Sequence, residues 1–129
     1  GLDAALVRAE AQLDAGNIPG TLFILDSLRA SPRTQGAITT PVMPALVNPG
    51  SQAGMVSLFF REKAFWTFSR GQRLGDLRRM IRKYGRTAAN TFPTGTHYKG
   101  PAYGVDVNLP VPTDEENNPN FRGCTDRLP

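Results

Sequence analysis

Apolar residues recur at Leu2, Leu6, Ala9 and Leu13, a spacing that lays one stripe along a helix running from Leu2 to Ala15. Gly16-Asn17 stops it, glycine being the usual residue just past a helix end. Pro19 or Thr21 opens a second helix through Ala30, carrying Leu22, Ile24, Leu25 and Leu28. A turn this short makes residues 1–30 an antiparallel helical hairpin. Over 31–53, Pro32, Pro41, Pro44 and Pro49 with Gly36 and Gly50 exclude a long regular element, so this stretch reads as an extended loop that needs other surfaces to lie upon. The third helix, about Gly54 to Arg70, is apolar on two sides. Met55, Leu58, Phe59, Phe65 and Trp66 line one face, and Val56, Phe60 and Phe68 the next. A helix wet on only a narrow strip is sandwiched between other elements, which assigns Phe59, Phe60, Phe65, Trp66 and Phe68 to the core.

Gly71 breaks that helix, and a fourth follows from about Leu74 to Tyr84 with Leu74, Leu77, Ile81 and Tyr84 inward. Residues 54–85 together form a helical scaffold. After Gly85, the prolines and glycines of 86–129 leave room only for short strands such as Tyr103 to Leu109. The expected fold is mainly α: tetratricopeptide-like helical hairpins with long irregular Pro/Gly-rich loops and little β. Residues 1–129 read as a single, incomplete domain, since Gly1 followed at once by Leu2-Asp3-Ala4-Ala5-Leu6 opens inside a helix. One hairpin of this style cannot stand alone, so its outer face is expected to be apolar.

Charge changes the picture at two places. Glu62 falls in the middle of an apolar face, and burying an unpaired carboxylate costs several kcal/mol, so a partner such as Arg73 or Arg78 is expected. The alternative, a perturbed glutamate acting as a general acid, needs a second catalytic group nearby. Asp76 pairs with Arg79 one turn on or favours the helix N-terminus. Arg61, Glu62, Arg73, Asp76 and Arg78 thus form a candidate structural charge network. Between Arg61 and Arg86 stand nine basic residues against two acids, within a chain of net charge +4. Such a cluster steers phosphates or an anionic membrane, or is the solvated face of two helices. The second reading is the plainer one, because no aromatic platform is interleaved among the arginines.

The familiar catalytic and metal patterns are not met. His97 has no neighbouring His or Cys for zinc. Ser51, in Gly50-Ser51-Gln52-Ala53-Gly54, fails the nucleophile-elbow spacing. Gly95 and Gly100 have the spacing of a phosphate loop, but Pro101 stands where its lysine belongs. Asp114-Glu115-Glu116 lacks the alternate-position ligands of a calcium loop and reads as a solvated or helical turn after Pro112. Cys124 is the sole cysteine and forms no intrachain disulfide. No catalytic residue, metal ligand or cofactor is assigned. The best ligand-binding candidates are His97, Tyr98 and Tyr103, aromatics in a glycine-flanked loop whose faces suit the C–H faces of sugar rings. Their alternative role is to pack the loop down on the helices.

Three segments, in order, carry a family resemblance. Leu6-Val7-Arg8-Ala9-Glu10-Ala11, then Gly16-Asn17, then Leu28-Arg29, resembles the "RAEA…N…LR" hairpin of SusD/RagB-like proteins. Phe60 through Arg79, containing Arg61-Glu62, Phe65, Gly71, Arg73 and Asp76-Leu77-Arg78-Arg79, is similar to that family's "RE…F…EGHR…DLRR" run. Asn108-Leu109-Pro110-Val111-Pro112 leading to Glu116-Asn117-Asn118-Pro119-Asn120 is similar to its "LPIP…E…NPN" ending. Arg70 and Gln72 depart from the family's Glu and His around Gly71, and family members are several times longer. The resemblance implies an outer-membrane lipoprotein on the extracellular face, anchored only through an N-terminal lipidated cysteine that Cys124 is not. It implies non-catalytic capture of oligosaccharide or peptide nutrients for a SusC-like TonB-dependent transporter, with no nucleic acid involved. The matched charged residues imply packing and pairing, not ligand contact. Two other readings remain: a tetratricopeptide-like adaptor that binds proteins, and a basic nucleic-acid-binding module.

Overall fold

The computed structural model describes residues 1–109 and 111–123. Pro110 and Cys124, both named above, lie outside the described residues. The chain is mainly helical and divides into two compact bodies, Gly1–Phe68 and the residues from Ser69 on.

The first body holds helices α1 (Leu2–Asp14), α2 (Ile18–Ala30) and α3 (Gln52–Trp66), with strands β1 (Thr34–Gln35) and β2 (Ile38–Thr39) between α2 and α3. The α1–α2 hairpin is tied at its turn by Asn17. Its side-chain oxygen accepts from the Gly20 N–H at 3.0 Å, capping α2, and its amide nitrogen donates to Gln12 at 2.6 Å. This cap lets α2 begin at Ile18, ahead of the expected Pro19 or Thr21. Asn17→Ala is expected to cost about 1 kcal/mol in thermal or urea unfolding. A loss below a few tenths of that would mean that water replaces the cap.

The hairpin packs through Leu6, Ala9 and Leu13 of α1 and Thr21, Leu25 and Leu28 of α2, and α3 packs against both helices. Ser51 caps α3 by accepting from the Gly54 N–H at 3.1 Å, and Gln52 donates to the Leu13 carbonyl at 2.6 Å, so the helix starts two residues before the expected Gly54. It ends at Trp66 rather than Arg70, where the Thr67 hydroxyl donates to the Lys63 carbonyl and Ser69 turns left-handed at φ 61°.

The 31–53 stretch does lie on other surfaces. The Leu46 N–H donates to Asp26 at 2.8 Å, Arg29 Nε donates to the Pro44 carbonyl at 2.7 Å, and the Met43 N–H donates to the Arg29 carbonyl at 2.9 Å. It also holds an unexpected hairpin, β1 antiparallel to β2 with Thr34 opposite Thr39, turned at Gly36 with φ 60°. The strands are two residues long, below what alternation of apolar residues reveals.

The two-sided apolar reading of α3 needs correction. Met55, Val56, Phe59, Phe60, Glu62 and Lys63 are buried, but Phe65 and Phe68 are 72% and 82% exposed and Trp66 is half-buried. At 3.6 residues per turn the buried positions fill an arc of about 160°, and Phe65 falls roughly 60° outside it. Phe68 follows the helix end. Among the exposed positions of α1 and α2 are Val7 and Phe23, at 67% and 74% exposure, beside Asp3, Arg8, Asp14 and Ser27.

The second body holds α4 (Arg73–Arg82) and the four-residue helices α5 (Ala88–Thr91) and α6 (Thr113–Glu116), with α4 packed on α5. Asp76, Leu77 and Met80 are the buried residues of α4, while Leu74, Ile81 and Tyr84 are half-buried. Thr87 caps α5, a helix too short to carry a periodic signal. No strand forms over Tyr103 to Leu109. The β geometry in this region is instead a single antiparallel bridge between Thr96 and Ala102.

Candidate functional site

Two kinds of polar feature emerge, one inside the first body and one in the loops of the second. In the first body, Glu62 and Lys63 sit within the buried arc of α3. Arg29 Nη1 donates to Glu62 Oε2 at 2.8 Å, Arg61 approaches Oε1 at 3.6 Å, and Lys63 meets Glu10 at 3.8 Å. The Glu62 carboxylate is 5% exposed and Arg29 17%, whereas Arg61 is 59% exposed, so Arg29 is the partner that compensates the buried charge. Arg73 and Arg78, the partners expected from the sequence, are not the cations that meet Glu62. Sequence spacing missed Arg29 because 33 residues separate the pair. The signal available was Arg29 itself, a cation closing the apolar face of α2. In the second body Asp76 accepts from Arg79 at 2.7 Å, one turn on, and Arg73 is exposed. Of the five expected charges, Arg61 and Glu62 meet with Arg29, and Asp76 accepts from Arg79.

The loop candidates come together. The Tyr103 N–H donates to the Gly95 carbonyl at 2.9 Å and the His97 N–H to the Pro101 carbonyl at 3.0 Å, closing residues 95–103 into a hairpin-like loop. The Gly100 N–H donates to the His97 carbonyl at 3.0 Å, and the Lys99 N–H donates to His97 Nδ1 at 3.2 Å. That last bond makes Nδ1 an acceptor toward the loop's own backbone. His97 lies 4.4 Å from the Tyr98 ring at 45° and 5.3 Å from Tyr103, edge to face at 84°. The aromatics thus contact one another, one pair tilted and the other edge to face. Tyr98 is 82% exposed, with the Lys99 ammonium over its ring, 5.5 Å from the centroid.

No family model, curated protein or solved structure matches the chain.

Tyr103 has a second neighbour that sequence reasoning did not find. It lines a cavity of about 500 Å³ between α5 and residues 103–107, whose walls include Ala88, Ala89, Phe92, Pro93, Val105 and Val107. That volume lies within the roughly 300–1,000 Å³ of small-ligand sites. The ring cluster and the cavity therefore form two adjoining surfaces joined at Tyr103. Among the described residues, no three His, Cys, Asp or Glu side chains converge as metal ligands, and no helix is long and apolar enough to cross a membrane.

Proposed function

We propose that this chain is the helical part of a SusD/RagB-like nutrient-binding protein, which captures oligosaccharides or peptides non-catalytically at the outer-membrane surface and hands them to a SusC-like TonB-dependent transporter. The observation that carries the reading is the meeting of two family-like motifs. Glu10 of the "RAEA" stretch pairs with Lys63, and Arg29 of the "LR" stretch pairs with Glu62 of the "RE" stretch. Motifs far apart in sequence thus act as one interlocked unit, as segments of a shared scaffold do. The tetratricopeptide-like character of the α1–α2 hairpin belongs to the same proposal. The lipid anchor and extracellular location are parts of it too and rest on the resemblance.

Within this reading the Tyr98 face offers a stacking surface for a sugar ring, beside polar groups for its hydroxyls. Tyr98→Ala is expected to weaken binding of an oligosaccharide ligand about tenfold, the scale of one lost aromatic contact. Its urea midpoint should stay unchanged because the ring is exposed. The ligand arm is read by isothermal titration against a panel of oligosaccharides. The location arm uses an antibody to the chain on fractionated source cells, where recovery from outer membranes together with a β-barrel transporter is expected. Recovery from the cytosol, with no barrel, would overturn the assignment.

A second reading has one observation in its favour. Val7 and Phe23 expose apolar side chains on the two helices of the hairpin, as a tetratricopeptide-like adaptor does where it binds a protein or another repeat. Cytosolic recovery with bound protein partners is its expected result.

A further inference from the structure

The chain has one histidine, His97, and a nitrogen of its ring helps to hold a turn. Nδ1 accepts the Lys99 N–H at 3.2 Å, two residues on, the span that an asparagine side-chain oxygen covers in an Asx-turn. His97 is half-buried while the other residues of 95–103 are exposed, so it is the least solvated residue of the loop. Accepting at Nδ1 requires the neutral ring with its proton on Nε2, because an imidazolium carries N–H on both nitrogens. Histidine is also the side chain whose charge ordinarily changes between about pH 5 and 8. Proton uptake turns Nδ1 into a donor aimed at another donor, and the bond to Lys99 is lost. The rings that meet His97 are Tyr98 and Tyr103, and the charged side chains of the loop and of the adjoining cavity wall are Lys99 and Asp106. Since the Lys99 ammonium already stands over the Tyr98 ring, an imidazolium there is a second cation on one ring. An aromatic face attracts a cation, but that attraction does not restore the acceptor that the turn needs.

From this we infer that His97 is a pH-sensitive latch on the 95–103 loop: proton uptake breaks the Nδ1–Lys99 bond, opens the 97–100 turn and parts the His97 ring from Tyr98 and Tyr103. With the ring neutral, the three aromatics stay together. With the ring charged, both tyrosines are released, and Tyr103 carries the change to the cavity that it lines. One consequence rests on the nutrient-binding reading: the Tyr98 ring is positioned for a sugar at neutral pH and set loose in acid. The latch itself needs no ligand.

The test is a series of NMR spectra of the ¹⁵N-labelled full chain, without ligand, between about pH 8 and 5. Imidazole spectra are expected to show Nδ1 unprotonated at the alkaline end. As the ring takes up its proton, the amides of Lys99, Gly100 and Tyr103 are expected to shift with it, and the ring contacts of His97 with Tyr98 and Tyr103 to disappear. His97→Asn places an acceptor that does not titrate two residues before Lys99, and is expected to hold the Lys99 amide in one state throughout while the spectrum of the first body stays unchanged. Loop amides that stay still while the ring is protonated would overturn the latch. So would a ring that takes up no proton over this range, or a His97→Asn chain that keeps the wild-type response. Titration with maltotriose then tests the consequence, with binding expected to be about tenfold weaker at the acid end, the scale of one lost hydrogen bond. Equal binding at both ends would sever the latch from capture. Absence of maltotriose binding at either end counts against a sugar site at Tyr98, and the ligand-free spectra still decide the latch.

Discussion

Arg29→Ala is expected to destabilise the first body by about 3 kcal/mol, at the lower end for breaking a buried ion pair because Arg29 keeps some contact with solvent. The substitution leaves the Glu62 carboxylate buried, with only the long, exposed Arg61 contact at 3.6 Å. It also frees the Pro44 carbonyl, which Arg29 Nε holds at 2.7 Å, and so loosens the loop that lies along α2. Two comparisons isolate the cause. Arg61→Ala should cost less than about 1 kcal/mol, as an exposed ion pair does. The double variant Arg29→Met with Glu62→Leu removes both charges and should recover most of the loss, since a hydrophobic replacement of a buried pair is often neutral or stabilising. Urea unfolding followed by the single tryptophan, Trp66 in the first body, reads all three. If Arg61→Ala cost more than Arg29→Ala, the assignment of Arg29 as the compensating cation would be wrong.

Phe59→Ala should be the most damaging apolar truncation of α3, at about 3–5 kcal/mol. Phe59 is 0% exposed and meets Phe60 edge to face at 5.1 Å, so its removal leaves a cavity inside the three-helix packing. Against the 5–15 kcal/mol or so that holds an ordinary domain folded, such a loss in a small body populates the unfolded state heavily. Phe65→Ala and Phe68→Ala, by contrast, should change stability by no more than about 0.5 kcal/mol because both rings face solvent. Equal losses at Phe59 and Phe65 would restore the picture of a helix buried on two sides. The contrast also bears on the proposed function, for an exposed Phe65 and Phe68 give a larger assembly apolar surface to cover.

How much of this was legible beforehand varies by element. The α1 stripe of Leu6, Ala9 and Leu13 announced both the helix and its buried face, and Gly16-Asn17 announced its end. The prolines of 31–53 announced a loop seated on other elements. At Phe65 the reading failed because counting apolar residues measures hydrophobicity but not how wide an arc the neighbours cover. The ring cluster was partly legible. Glycines at 95 and 100 and the aromatics between and after them marked a loop, but the meeting of His97 with Tyr98 and Tyr103 accompanies the Thr96–Ala102 bridge, a pairing that no apolar alternation marks.

The sequence by itself determined the helices of the first body, the need for a cation beside Glu62 and the loop that carries the aromatics. Each of these rests on local rules: periodicity, the cost of burying a charge, and the conformational reach of glycine and proline. Only the tertiary structure decided that Arg29 is that cation, that Phe65 stands in water, and that α5 meets residues 103–107 around a cavity. Those facts depend on which surfaces distant segments bring together, and packing of that kind leaves no periodic trace in either segment alone.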